Sequence, residues 1–357
     1  RRLQGKMQLL GVDHTQAFRN RLTHSLEVAQ IARGLANEMG MTSSYVAETA
    51  ALAHDLGNPP FGHAGERVLH DIARSAGIDG FEGNAQTFRI LHRLEKKHYA
   101  FRGLNLTERT LLSVVKYYRR FDPDGKRFLY SDDYAVVSGI LERHDLGRAP
   151  VTIDMQLMDL ADEIAYAAHD MEDCLSLKYF TSDELLYEFQ RSPAYAAVYD
   201  TLKEVVDHCH RFASQAHFFG SEEFSYLFRK ELTSNVVHRL MRDVAYLPDQ
   251  KRLGFRTLEP LAEGLKVLTF QAIKRRPAVQ LYEKQGEQVI RGLYQVYTDA
   301  RFNVRSELLP PEYRSTDVPL ARNVLDFLSG MMDSFALQQY EQFFGPGRLA
   351  ALYHPGN

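Results

Sequence analysis

Apolar residues recur at helical spacing along nearly the whole chain, and this periodicity restricts the fold more than any other feature. Between Leu22 and Met39, the residues Leu26, Ala29, Ala32, Leu35, Ala36 and Met39 fall near one face of a 3.6-residue helix, with Gly40 placed as its C-cap. A second helix over 44–55 must end where Gly57, Pro59 and Pro60 forbid continuation. The same spacing predicts helices near 64–76, 84–97, 107–119, 134–145, 152–176, 183–191, 193–213, 221–243, 259–274, 278–298 and 318–340. Strand signals are scarce, and Arg127 to Tyr130 is the best short stretch. The clearest interruptions are Asp122 to Gly125 and Leu247 to Pro260. The expected fold class is all-α, with a helical core over 1–180 and a helical C-terminal region over 181–357.

Composition narrows the function classes. The 43 basic and 46 acidic residues leave a formal charge of −3, so no global field advertises nucleic acid or an anionic membrane, and an anionic ligand must be held locally. A hydrophobic share of 45% is ample for a large core. Cys174 and Cys209 form no Cys-x-x-Cys pair and no disulfide framework, which fits a reducing compartment. No apolar run approaches the roughly 18 residues of a membrane span, and "RRLQGKMQLL" lacks a signal-peptide pattern. The expected location is the cytoplasm, with no membrane partner. A P-loop pattern is missing, so ATP-driven work is not indicated.

Against this background four polar features stand out. His24 sits early in the first strong helix, within "RNRLTHSLEVAQIA". His54 and Asp55 close the second, in "ALAHDLGNPPFGHAGE", and adjacent imidazole and carboxylate donors suit Mn, Fe, Ni, Co or Zn. The loop that follows carries His63 and Glu66. Farther on, Asp162, Tyr166 and Asp170 are spaced i, i+4, i+8 in "TIDMQLMDLADEIAYAAHDMED", a stripe on an otherwise Ala-, Ile- and Met-rich helix. Asp159, one turn earlier, competes with Asp162, and spacing does not choose between them.

Taken in order, "RLTHSLEVAQIAR", "ALAHDLGNPPFGHAGE", "FEGNAQTFRILHRLE", "GLNLTERTLL" and "LMDLADEIAYAAHDMEDC" resemble the HD-domain deoxynucleotide triphosphohydrolases, in particular the bacterial dGTP triphosphohydrolases. The similarity runs over the first half of the chain and more weakly to "LKVLTFQAIKRRPAV". It implies an HD-domain helical phosphohydrolase core and one divalent metal ion (Mn, Mg, Fe, Ni or Co) held by His24, His54, Asp55 and Asp162. The family pattern sets its metal Asp four residues before a phosphate-binding Tyr and eight before a second Asp, matching Tyr166 and Asp170 and preferring Asp162 to Asp159. It further implies His63 as the catalytic histidine with Glu66 as its acid, Arg21 on phosphate and Gln8 against the sugar. Some relatives have histidines where this chain has Asn58 and Gly83; the dGTP-preferring bacterial branch resembles this chain at both places.

The implied activity is hydrolysis of a dNTP, with dGTP the expected best substrate, to deoxynucleoside and intact triphosphate. Other readings are a different HD-superfamily nucleotide phosphohydrolase, either a 5′-nucleotidase or a phosphodiesterase, and a nucleotide or nucleic-acid sensor on the same fold. The absence of a "GYP" sequence disfavours the cyclic-dinucleotide branch. Relatives assemble as homo-oligomers, often hexamers, and some respond to a nucleotide or single-stranded DNA effector. The C-terminal region is expected to complete the nucleotide pocket and supply oligomer contacts. Lys274, Arg275 and Arg276 are further candidates for phosphate, and the aromatics of "AHFFG" and "YEQFFG" for base stacking or core packing.

Overall fold

A computed structural model describes residues 2–8, 19–147, 151–215, 220–347 and 349. The chain is all-α. Its helices are α1 (Arg21–Glu38), α2 (Tyr45–Ala53), α3 (Gly62–Ser75), α4 (Gly83–Arg89), α5 (Glu108–Ser113), α6 (Ser131–Arg143), α7 (Ile153–Ala165), α8 (Met171–Ser176), α9 (Ser182–Arg191), α10 (Tyr199–Gln215), α11 (Ser221–Asp243), α12 (Glu259–Lys274), α13 (Pro277–Thr298), α14 (Leu320–Ser329) and α15 (Asp333–Phe344). Five-residue π turns extend α4 through Ile90–Leu94 and join α7 to α8 through Tyr166–Asp170.

Two compact units interleave along the sequence, one built from 1–25, 52–155 and 278–357, the other from 26–51 and 156–277. In the first, the apolar face of α3 (Val68, Leu69, Ile72) packs with Val289, Ile290 and Leu293 of α13, Val324, Leu325 and Leu328 of α14, and Ala336 and Tyr340 of α15. The aromatics of "YEQFFG" belong to this packing: Tyr340 stacks on Phe344, and Phe343 meets Tyr297 edge-on. "AHFFG" lies almost wholly outside the described residues. In the second unit, α10 buries Leu202, Val205, Val206 and Cys209, and α11 buries Phe228, Leu232, Val236 and Leu240.

Several elements depart from helical periodicity for local reasons. The helix expected over 107–119 stops at Ser113, because the β-branched and aromatic run that follows turns to extended pairing: Leu129 N–H donates to Arg119 O at 2.7 Å and Phe121 N–H to Leu129 O at 3.1 Å. Arg127 to Tyr130 therefore contributes only an isolated bridge, Arg120 with Leu129. The two-stranded sheet among the described residues lies elsewhere, β1 (Val244–Leu247) pairing antiparallel with β2 (Arg252–Phe255) within what reads in sequence as an interruption. Asp243 closes the base of this hairpin, its carboxylate accepting from Thr257 N–H at 2.9 Å and Leu258 N–H at 2.7 Å. The helix expected over 318–340 breaks at Gly330, and α15 starts afresh at Asp333.

Candidate metal centre

Asn20 caps α1, its Oδ1 accepting from Thr23 N–H at 2.9 Å, and so fixes the first turns on which Arg21 and His24 stand. His24 is fully buried. His54 and Asp55 lie just beyond the last residue of α2, in a turn held by Thr87 of α4: its hydroxyl donates to His54 O at 2.9 Å and accepts from Gly57 N–H at 2.9 Å. Gly57 is required there, since a Cβ would come within 2.0 Å of Gly83 O and 2.3 Å of Thr87 N.

These elements bring His24, His54 and Asp55 together. All three are buried, and one donor atom from each lies within 4.8 Å of the others. The imidazole rings stand 5.6 Å apart between centroids, and His54 Nε2 lies 3.5 Å from Asp55 Oδ1. Two imidazoles and a carboxylate converging in a buried space match the donor preferences of a divalent transition metal, so the residues fit the cation that the resemblance implies. Asp55 is oriented from both sides: Arg21 Nη1 donates to Oδ2 at 2.7 Å, and Asn58 Nδ2 donates to Oδ1. Arg21, read from sequence as a phosphate contact, is thus engaged with the carboxylate of the trio.

After the two prolines the backbone turns sharply. Phe61 adopts φ 62° and ψ 23°, the left-handed region rarely used by a bulky residue, and α3 begins at the next position. His63 is the second residue of that helix, its side chain largely exposed, with Nδ1 3.2 Å from Glu66 Oε2. Glu66 Oε1 accepts from Gly83 N–H at 2.8 Å. Burial acts to raise the Glu66 pKa, but the hydrogen bonds from His63 and Gly83 outweigh it and hold the carboxyl below its usual range. The neighbouring Glu82, cap of α4, is pushed up to about 7 by burial and then by the charge of Glu66. Asn58 and Gly83, the two places where some relatives carry histidine, are themselves neighbours: a Cβ on Gly83 would stand 2.9 Å from Asn58 Oδ1.

The remaining candidates divide between the units. Gln8 is buried in the first unit, its N–H donating to Arg19 O at 3.2 Å, while Met7 bridges Asn20 just before α1. In the second unit Asp162 and Asp170 are buried and Tyr166 is half-buried. The π turn over Tyr166–Asp170 breaks the α-helical register that the i, i+4, i+8 stripe assumed. In that unit too, His169 pairs with Glu27 at 3.0 Å, Arg276 donates to Tyr179 O at 2.8 Å, and Lys274 lies 4.6 Å from the centre of the Phe270 ring. Sequence reading missed Asn58 and Thr87 as supports of the His54–Asp55 turn; a polar residue at the start of the Pro-Pro loop was the available signal for Asn58, and nothing local marked Thr87.

Comparison with known proteins identifies the family. Residues 21–167 match the HD domain, and 255–342 match the phosphohydrolase-associated domain. A deoxyguanosinetriphosphate triphosphohydrolase-like protein 2 of Vibrio cholerae is 49% identical over 99% of this chain and 87% of its own length. The chain belongs to the HD-domain dGTPase-like family. Family members named deoxyguanosinetriphosphate triphosphohydrolase-like protein also include one from Shewanella sp., 30% identical over 97% of this chain and 89% of its own. Another, from Rhodopseudomonas palustris, is 34% identical over 96% of this chain and 86% of its own. As a member of this family the chain is an HD-superfamily phosphohydrolase, and no helix among its described residues is long and apolar enough to cross a membrane.

Proposed function

We propose that this protein is a metal-dependent dNTP triphosphohydrolase that prefers dGTP and releases deoxynucleoside and inorganic triphosphate. The observation that carries the reading is the convergence of His24, His54 and Asp55 within 4.8 Å, all buried. Asp162, a buried carboxylate of α7, is the proposed fourth ligand. These four residues would hold one divalent cation, which would supply polarisation of a phosphoryl oxygen and a lowered pKa for a water.

The chain's own residues supply the rest. His63, exposed at the start of α3, transfers a proton at the scissile 5′ oxygen. Glu66 orients His63 through Nδ1. Arg21 orients Asp55 and adds positive charge for phosphate. Tyr166 donates to a phosphoryl oxygen, Asp170 orients a donor, and Gln8 meets the sugar. The C-terminal region completes the nucleotide pocket and forms the contacts of a cytoplasmic homo-oligomer, hexameric in the fullest form of the proposal, with a nucleotide or single-stranded DNA as effector.

The direct test is replacement of His54 or Asp55 by Ala. Each variant is expected to lose Mn binding in calorimetry together with hydrolysis of dGTP. Full turnover by a variant that binds no metal would overturn the proposal.

A further inference from the structure

We infer that Asp333 is a positioning residue for His63: its buried carboxylate fixes the left-handed turn at Phe61 from which α3, and with it the His63–Glu66 pair, departs. The inference rests on the assignment of proton transfer to His63.

The turn is one that the chain does not adopt unaided. Phe61 is fully buried at φ 62°, a conformation that a bulky L residue holds only when its surroundings over-determine it. Its N–H donates to Asp333 Oδ1 at 3.0 Å, 272 residues away in sequence. Asp333 Oδ2 accepts from Tyr282 OH at 3.0 Å and from Met7 N–H at 3.3 Å, so three donors hold one carboxylate in place. The backbone is tied as well, Asp333 N–H donating to Gly5 O at 3.1 Å.

Packing reinforces the polar contacts. The Phe61 ring meets Tyr282 edge-on at 5.5 Å and closes on Gly286, where a Cβ would fall 2.4 Å from the ring. At the other end of the same loop, buried Lys6 donates to Asn58 O at 2.5 Å and to Ser329 O at 2.8 Å. Between them, the turn from Asn58 to Phe61 is clamped by groups from both ends of the chain.

His63 depends on this clamp more than a packed residue would. Its side chain is 72% exposed, and the ring contact it makes is with Glu66 of the same helix. Its place is therefore set by the backbone that leads into α3. A shift of about 1 Å at a proton-transfer group is enough to cost ~10²-fold in rate. Asp333 reaches neither the exposed ring nor Glu66; it acts on them through Phe61.

The test uses the full chain with dGTP and Mn. Asp333→Ala is expected to speed amide exchange across 58–66 and to lower kcat by about 100-fold with KM changed by less than about threefold. In a His63→Ala background the same substitution should cost less than about threefold, because the group being positioned is gone. Losses that multiply in the double variant, or exchange across 58–66 that matches the wild type, would overturn the inference. Should Asp333→Ala not fold, Asp333→Asn and Tyr282→Phe carry the same cycle with an expected loss of about tenfold, and the same two results would overturn it. A His63→Ala enzyme at full rate would instead refute the proton-transfer reading, a result that the exchange measurement keeps separate from the anchoring of Phe61.

Discussion

Arg21 Nη1 lies 2.7 Å from Asp55 Oδ2, and both side chains are more than nine-tenths buried. The pair places a fixed positive charge on the carboxylate that faces His54. Removing one partner of a buried ion pair leaves the other uncompensated. Arg21→Ala is therefore expected to cost the metal-free protein about 3–5 kcal/mol in urea unfolding. A cation bound by Asp55 would replace part of the lost compensation, so added Mn should raise the melting temperature of the variant more than that of the wild type. Equal Mn-induced shifts would contradict this account of the pair.

The turn bearing His54 and Asp55 leaves no room beside α4. A Cβ at Gly57 would meet backbone atoms of Gly83 and Thr87 at 2.0 and 2.3 Å, and neither can swing aside like a side chain. Gly57→Ala should destabilise the fold by at least about 1–3 kcal/mol and weaken Mn binding with it, as read by calorimetry on the same sample. An unchanged melting temperature would show that the turn has slack.

His63 and Glu66 separate metal binding from turnover. His63→Ala is expected to bind Mn normally while losing about 10²–10⁴ in kcat. Glu66→Gln should lose less, about 10–100-fold, because the role proposed for it is to orient the ring. Because hydrogen bonding holds the Glu66 pKa below its unfolded value, its stabilising effect is present above the usual carboxylate range and is lost as pH falls through the folded pKa. The Gln variant should accordingly show a flatter acid limb in a stability-against-pH profile. Loss of metal by His63→Ala would place His63 among the ligands.

Lys6 gives a pH signature at the opposite end of the scale. Burial pushes its pKa down to about 7 from 10.5, against the pull of Asp333. Between those values the unfolded chain holds a proton that the folded chain has shed, so folded stability rises with pH across the window. Urea unfolding at pH 6.5 and 9.5 should show the wild type gaining on Lys6→Met as pH increases. Parallel pH profiles for the two proteins would mean that Lys6 stays charged in the fold.

Local signals carried much of this architecture. The bounds of α11 and α12 follow from periodicity and flanking breakers, because both properties are written within a few residues. Where tertiary partners decide, the pattern misleads. The helix over 318–340 splits at Gly330 because α15 begins on Asp333, whose carboxylate is spent on Phe61, Tyr282 and Met7 rather than on its own helix. The extended pairing that truncates α5 and the β1–β2 hairpin depend on cross-strand hydrogen bonds that no helical template contains. At the candidate metal centre the donor types were legible in "LTH" and "HD", since chemistry restricts them. The support given by Arg21, Asn58 and Thr87 was not, because those contacts span from 3 to 34 residues and depend on tertiary packing within the first unit.

Product analysis reads out which bond the enzyme cuts. Purified protein is incubated with Mn and dGTP, in parallel with each other dNTP and GTP, and the products are resolved by anion exchange. The expected products are deoxyguanosine and intact triphosphate, formed faster from dGTP than from any other substrate and abolished in Asp55→Ala. Formation of dGMP with pyrophosphate, or no turnover of any deoxynucleotide even with mixed dNTPs present as effectors, would contradict it.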